Sequence, residues 1–249
     1  MRWRSADDLF WIEARLPGAT AAFSSRLGGV SEGPFESLNL GLLTDDDRGA
    51  VTENRDRLAA ALELEPERVA VGHQVHGAEL ATHAGPQVGT PFASPGAEVP
   101  EVDGHVIAEP GLGALVFVAD CLPVALAGPG GVAMLHCGWR GLAAGIVARG
   151  VEAVGATDAA IGPGIGPCCY EVGEDVLGAF AGLGEGIANG PMLDLDQVTR
   201  RLLRQAGVGQ IESTGICTSC EAGCFFSHRR DAGRTGRQAG LVWLDEREG

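Results

Sequence analysis

Between residues 104 and 136 four short apolar runs follow one another almost without a break. No other feature limits the fold so strongly. The runs cover residues 104–108, 114–119, 124–127 and 132–136. Each is too short for a helix and is bounded by glycine, proline or aspartate, so they read as closely spaced strands. Around them the period changes. Residues 138–155 are expected to form one helix, with Leu142, Ile146, Val147 and Val151 on one face. Residues 174–181 and 195–206 also read as helical. Residues 159–162, 210–214 and 239–244 read as strands, the last two closing the sheet. Upstream, residues 21–24 and 68–71 are strand candidates, and 47–64 has helical spacing. The segment GGVSEGPFESLNLG is a long ordered loop, and 85–100 a Gly/Pro/Ser-rich surface loop. No repeat and no linker divides residues 1–249. The expectation is a single α/β domain whose layers share one core.

Composition narrows the classes of function. The chain holds 39 glycines, and aromatics are only 5% of it. Small residues of this kind suit tight turns and close layering. A formal net charge of -15 repels a nucleic-acid backbone, so no nucleic-acid partner is expected. Arg229, Arg230, Arg234 and Arg237 nevertheless cluster, and a small anion could be met there. The most apolar stretch, residues 111–128, is interrupted by Asp120, Cys121 and Pro123 and does not suit a membrane span. The N-terminal residues do not read as a signal segment. A cytoplasmic location is therefore expected. In that compartment seven cysteines, an odd number, point to thiols or metal ligands rather than disulfides.

Three segments place a His or Cys at the edge of an apolar run: GHQVHGAEL, VADCLPVAL and MLHCGWRGL. Catalytic zinc sites commonly use three nitrogen or sulfur ligands and keep one position open. His76, Cys121 and His136 fit that rule. Singly, each also fits a hydrogen-bonded core histidine or a packed thiol. Cys121 could alternatively serve as a nucleophile with His136 as its base. The run CTSCEAGC lacks a second C-x-x-C or a His pair, so it reads as packed thiols, with a Cys3His set through His228 as the alternative. Cys168 and Cys169 are adjacent and would point apart on extended backbone. In FFSHRRDAGRTGR the arginines either form a solvated turn or bind an anion through their forks.

Taken together, SSRLGGVSEGPFESLNLG, HQVHG, VDGHV, VADCLPV, HCGWRGL, IGPGIGPCCYEVG and FFSHRRDAGRTGR resemble the YfiH family. This is also called the laccase-domain, polyphenol-oxidase-like or FAMIN-related family. The resemblance runs from Ser25 to Arg237. It implies a four-layer α/β/β/α sandwich with mixed sheets. It also implies a zinc ion held by His76, Cys121 and His136, the same residues carrying catalysis. The implied activity is purine nucleoside phosphorylase on adenosine, inosine and S-methyl-5'-thioadenosine, with adenosine deaminase activity alongside. The partners would then be a small nucleoside and phosphate. Alternatives within the resemblance are an editing amidase for a mis-built peptidoglycan precursor (UDP-MurNAc-L-Ser) and a copper-dependent polyphenol oxidase. Copper is the less favoured metal, because six histidines without an H-x-H pair are few for a multicopper centre. Candidate substrate-binding residues are Arg229 and Arg230 for phosphate, Arg26 and Arg140 behind them, and Asn39. Asp120 is a candidate to orient His76 or His136. His73 and Cys137 add a further imidazole and thiol near these ligands.

Overall fold

The computed structural model describes residues 1–94 and 96–245. Pro95 of the expected 85–100 loop and residues 246–249 of the expected domain lie outside these. The chain opens with an antiparallel meander of β1 (Arg2–Ala6), β2 (Leu9–Leu16) and β3 (Ala19–Ser24). Helix α1 (Arg48–Ala61) follows; the Asp47 carboxylate caps it by accepting the Ala50 N–H at 2.9 Å. Next come β4 (Val69–Ala70), β5 (Leu80–His83), β6 (Gly104–Ile107), β7 (Gly113–Val118), β8 (Leu122–Gly128) and β9 (Gly131–Cys137). Two short helices, α2 (Trp139–Ala143) and α3 (Ile146–Val154), lead to β10 (Asp158–Ile161) and α4 (Glu174–Ala179). The small hairpin β11 (Ala188–Asn189) and β12 (Met192–Leu193), then α5 (Leu195–Gln205), β13 (Gln210–Ser213) and β14 (Gln238–Leu244), complete the described chain.

The strands form two six-stranded mixed sheets. One has the order β1-β2-β3-β14-β7-β4 and the other β13-β10-β8-β9-β6-β5. The apolar residues sort into three layers. Between the sheets lie Phe23, Val116, Val242, Ile107, Met134 and a set of alanines that includes Ala14, Ala21, Ala114, Ala125, Ala127 and Ala160. On the outer face of the second sheet, Val124, Leu126 and Leu135 meet Ile146 and Val151 of α3 and Val198 and Leu203 of α5. On the outer face of the first, Ala22, Leu115 and Leu241 meet Leu58 and Ala59 of α1. The result is the α/β/β/α sandwich. Because both faces of the central strands are covered, those strands are apolar throughout. The small alanine side chains let the sheets approach, and Gly162 shows how closely. A Cβ there would sit 2.3 Å from the Phe23 ring of the opposite sheet.

Several expectations change. The four runs of residues 104–136 do not form one sheet: β6, β8 and β9 lie in the second and β7 in the first. Likewise β13 is an edge strand of the second sheet, whereas β14 lies inside the first, between β3 and β7. The single helix expected over 138–155 is broken at Gly145, whose φ of 89° ends α2 and lets α3 start in a new direction. β1 and β2 were not anticipated, because RWRSA and LFWIEARL mix charges with apolar residues. Those charges converge on Glu13, whose Oε1 accepts from Arg2, Arg4 and Arg15 at 3.2–3.3 Å. The 85–100 loop is not wholly at the surface, since Phe92 is 1% exposed within the outer layer of the first sheet.

Candidate active site

The two sheets are joined by connections that cross from one to the other, and these deliver two of the three candidate ligands. His76 lies on the connection from β4 in the first sheet to β5 in the second, and Cys121 on the tight turn from β7 to β8. His136 stands near the end of β9, opposite Pro123 of β8. One ligand atom from each residue lies within 4.8 Å of the other two. The His76 and His136 rings meet edge to face with centroids 4.8 Å apart. His76 is exposed, Cys121 half-buried and His136 buried, so the group faces solvent on one side only.

Asp103, just before β6, holds this arrangement and is fully buried. Its Oδ1 accepts the backbone N–H of His76 at 2.9 Å and pairs with His136 Nδ1 at 2.7 Å. Its Oδ2 accepts the N–H groups of Val75 and Gly77 at 3.1 and 2.6 Å. One carboxylate therefore shapes the His76 loop and fixes the His136 tautomer, leaving His136 Nε2 free to coordinate. Burial would raise the Asp103 pKa, but the His136 hydrogen bond and the backbone donors outweigh it and lower it. Gln74 fastens the same loop to the other sheet through two hydrogen bonds with the Phe117 backbone, at 2.7 and 2.8 Å.

The backbone is shaped for this grouping. His76 and Asp120 adopt φ of 61° and 94°, a region that non-glycine residues rarely occupy and that recurs at functional sites. Asp120 is held there by its partners: Oδ1 accepts the Thr218 hydroxyl and Oδ2 the Arg229 N–H, both at 2.7 Å. Gly138 lies just beyond β9 and leaves little room beside the ligands. A Cβ there would lie 3.0 Å from Cys121 Sγ and 3.1 Å from His76 Cδ2.

The electrostatics favour a thiolate. Burial alone would push the Cys121 thiol up, but the charge of His136 and hydrogen bonds from both imidazoles pull it down to about 6. Burial would lower His136, yet the Cys121 thiolate and Asp103 raise it to about 9. A thiolate beside two imidazoles is a donor set that a divalent metal of the zinc or copper class accepts. The fit is good: three N and S donors converge, one imidazole is anchored from behind, and one side is open.

The group lies in a cleft of about 860 Å³, within the range of small-molecule sites. Phe117, Ile165, Tyr170 and Trp139 give it apolar and aromatic walls, and Arg48, Arg140, Arg229 and Arg237 line it with positive charge. The Arg140 guanidinium stacks 4.4 Å over Trp139 and that of Arg229 5.3 Å over Tyr170. Burial and the nearby Cys121 thiolate push the Tyr170 hydroxyl up to about 12.

Residues 20–245 match the family described as multi-copper polyphenol oxidoreductase laccase. The chain belongs to this laccase-domain, YfiH-type family. It is 38% identical over 262 residues to purine nucleoside phosphorylase YlmD of Geobacillus stearothermophilus, covering 96% of this chain and 95% of that protein. It is 44% identical to a purine nucleoside phosphorylase of Deinococcus radiodurans, covering 92% and 90%. Among solved structures, the hypothetical protein YfiH of Bacillus licheniformis superposes with a TM-score of 0.87 at 33% identity, covering 98% and 99% of the two chains. YlmD from Geobacillus stearothermophilus does so with 0.85 at 36%, covering 98% of each.

Within this laccase-domain fold, the other residues singled out from the sequence part company. Arg140 and Arg229 line the cleft; Arg26, Arg230 and Asn39 do not. Arg230 grips Asp231 through two 2.8 Å bonds and donates to the carbonyls of Thr218 and Phe225. Arg26 stacks on Phe226 and donates to the carbonyls of Glu36 and Ala222. Asn39 is fully buried: its Oδ1 accepts the N–H groups of Gly41 and Arg237, and its amide donates to Thr44 and Asp46. The side chains of these three hold the loops around the cleft. The role suggested for Asp120 belongs to Asp103, and Asp120 instead ties Cys121 to the Thr218 and Arg229 segments. Arg48 and Arg237 were not singled out for substrate. Arg237 had a signal, since it closes the FFSHRRDAGRTGR run; Asp103 had one in VDGHV. His73 lines the cleft beside Glu101. Cys137 is fully buried, and burial raises its thiol well above the ordinary range, so it packs as an apolar residue beneath the site.

Cys168, Cys169, Cys217 and Cys220 form a second group of sulfurs, apart from the cleft lining. Cys168 and Cys169 do not point apart, because the backbone turns there: the N–H groups of Cys169 and Tyr170 both bond to the Gly166 carbonyl at 3.0 Å. The C-x-x-C run thus meets its partner in this adjacent pair. Neither Cys224 nor His228 joins the group.

Proposed function

We propose that this protein is a zinc-dependent purine nucleoside phosphorylase acting on adenosine, inosine and S-methyl-5'-thioadenosine, and that the same site deaminates adenosine. The observation that carries this reading is a single cleft in which a His76–Cys121–His136 ligand set lies beside aromatic faces and several arginines. The names of the relatives point the same way. Zinc bound by this set would supply Lewis-acid polarisation at an open coordination position. The chain's own residues do the rest. Trp139, Tyr170 and Phe117 offer faces to a purine. Arg229 and Arg140, with Arg237 and Arg48, would hold phosphate through guanidinium hydrogen bonds. In phosphorolysis a phosphate oxygen forms a bond to C1′ as the bond from C1′ to the base nitrogen breaks, and the base leaves with a proton. Asp103 keeps the proton on His136 Nδ1, so that His136 stays a neutral donor through Nε2.

A net charge of -15 argues against nucleic-acid partners, and free thiols suit a reducing cytoplasm. No helix among the described residues is long and apolar enough to cross a membrane. A multicopper reading is disfavoured, because among the described residues the triad is the sole converging metal-ligand group that contains histidine. The test incubates zinc-loaded protein with adenosine, inosine or S-methyl-5'-thioadenosine, with and without phosphate, and identifies products by mass. Free base is expected only when phosphate is present, with ribose-1-phosphate from adenosine and inosine and 5-methylthioribose-1-phosphate from S-methyl-5'-thioadenosine, and inosine from adenosine in either case. Unchanged nucleosides would overturn the proposal and shift attention to amide hydrolysis of a peptidoglycan precursor.

A further inference from the structure

The second sulfur group sits where two loops leave one sheet side by side. β10 and β13 are parallel neighbours. The loop after β10 carries Cys168 and Cys169, and the turn after β13 carries Cys217 and Cys220. Backbone hydrogen bonds from Gly164 to Ile216 and from Thr218 to Gly164, at 3.3 and 3.0 Å, join the two. The four Sγ atoms all lie within 4.8 Å of one another. A tetrahedral ion with bonds of about 2.3 Å to sulfur would set its ligands roughly 3.8 Å apart. Cys220 Sγ is 3.4 Å from Cys168 Sγ and 3.5 Å from Cys169 Sγ. Cys220 thus approaches two sulfurs equally, an arrangement that suits a common centre better than a single disulfide pair.

The surroundings are built to the same end. The Gly166 N–H points at Cys217 Sγ at 3.2 Å. Such a donor offsets part of the charge of a tetrathiolate. Gly166 packs tightly against the group, since a Cβ would come within 3.1 Å of Cys217 Cβ and 3.4 Å of Cys168 Sγ.

We infer that Cys168, Cys169, Cys217 and Cys220 form a second, closed metal site for a thiophilic divalent cation of the zinc class, with a structural role. Binding exchanges four thiol protons for one divalent ion, with no change of oxidation state. The site pins the loop that continues into Tyr170 and the turn that contains Thr218. Thr218 holds Asp120 beside Cys121, and Tyr170 carries Arg229 on its face. A metal here would brace one wall of the cleft without touching substrate.

The test counts metal. Full-length protein is expressed with zinc, desalted and analysed by inductively coupled plasma mass spectrometry beside His76→Ala/Cys121→Ala and Cys217→Ser/Cys220→Ser variants. Two zinc per wild-type chain are expected and one in each variant, with a lowered melting temperature for the serine pair. Cobalt substitution of the His76→Ala/Cys121→Ala protein should give the charge-transfer bands of a tetrathiolate. Should the serine pair fail to fold, the His76→Ala/Cys121→Ala protein decides alone: no retained metal, or a disulfide within the four cysteines found by thiol counting, overturns the inference. One zinc in wild type that persists in His76→Ala/Cys121→Ala but not in the serine pair would uphold this site and count against zinc at the triad instead.

Discussion

Replacing Asp103 by asparagine tests the candidate site at the point where most of its geometry converges. The carboxylate engages four donors: the N–H groups of Val75, His76 and Gly77, and His136 Nδ1. An amide supplies only one acceptor oxygen. With that oxygen toward His76 and His136, the NH2 group faces the N–H donors of Val75 and Gly77 and both bonds are lost. Each unpaired donor costs about 1–3 kcal/mol when buried; this loop is half open to water, so the low end applies and the pair loses roughly 2 kcal/mol. His136 also loses a charged partner. Removing a carboxylate behind a metal-ligating histidine typically costs about 10–100-fold in affinity, or roughly 1.4–2.7 kcal/mol. The assay is a competitive chelator titration of zinc with wild-type and Asp103→Asn proteins, together with the pH dependence of binding. Weaker binding should come with a pH profile displaced relative to wild type, because His136 no longer pairs with a carboxylate. Wild-type affinity and an unmoved profile in a folded Asp103→Asn protein would refute the role given to Asp103.

In metal-free protein, alkylation of Cys121 should rise with a midpoint near pH 6 rather than near the ordinary thiol value of 9.0, and zinc should suppress it; a midpoint near 9 would remove the thiolate from the site. The sign follows from both partners. The stability supplied by the depressed Cys121 is lost as pH falls through about 6, and that supplied by the raised His136 is lost as pH rises through about 9, so the metal-free protein should be most stable between these values. Asn39→Ala should destabilise the fold by about 2–4 kcal/mol, read from the urea midpoint, because the N–H groups of Gly41 and Arg237 are left without an acceptor. Unchanged stability with a raised KM would instead place Asn39 on substrate.

The sequence was most legible where chemistry demands unusual neighbours. A His or Cys at the edge of an apolar run, next to glycine, proline or aspartate, has few structural explanations, and His76, Cys121 and His136 each stand in such a place. Legibility failed where two adjacent residues face opposite ways. Arg229 and Arg230 look alike in FFSHRRDAGRTGR, yet the turn sends one to the cleft and the other to Asp231 and two carbonyls. Asn39 shows a different limit: a polar side chain in a glycine-rich loop suggests substrate contact, while its partners, the N–H groups of Gly41 and Arg237, lie far apart in the sequence and cannot be read from it. The cysteines failed because extended backbone was assumed at Cys168 and Cys169, where hydrogen bonds to Gly166 make a turn.

The partition of strands between two sheets was hidden for a physical reason that is itself readable in retrospect. Covered on both faces, β7, β8 and β9 have no polar side to orient them. The orientation survives as size. In β8 the residues Leu122, Val124 and Leu126 face the helices, while Ala125 and Ala127 face the other sheet. The same small residues appear opposite, at Ala14, Ala21 and Ala114. This alternation of large and small sets how closely the sheets approach, and the site depends on that distance. His76 and Cys121 both lie on connections that start in one sheet and end in the other, whereas His136 belongs to the second sheet alone. The three can meet only if the gap between the sheets is fixed. The alanine layer, which packs against Cys121 and has no chemistry of its own, is therefore part of what brings an imidazole, a thiolate and a second imidazole to one place.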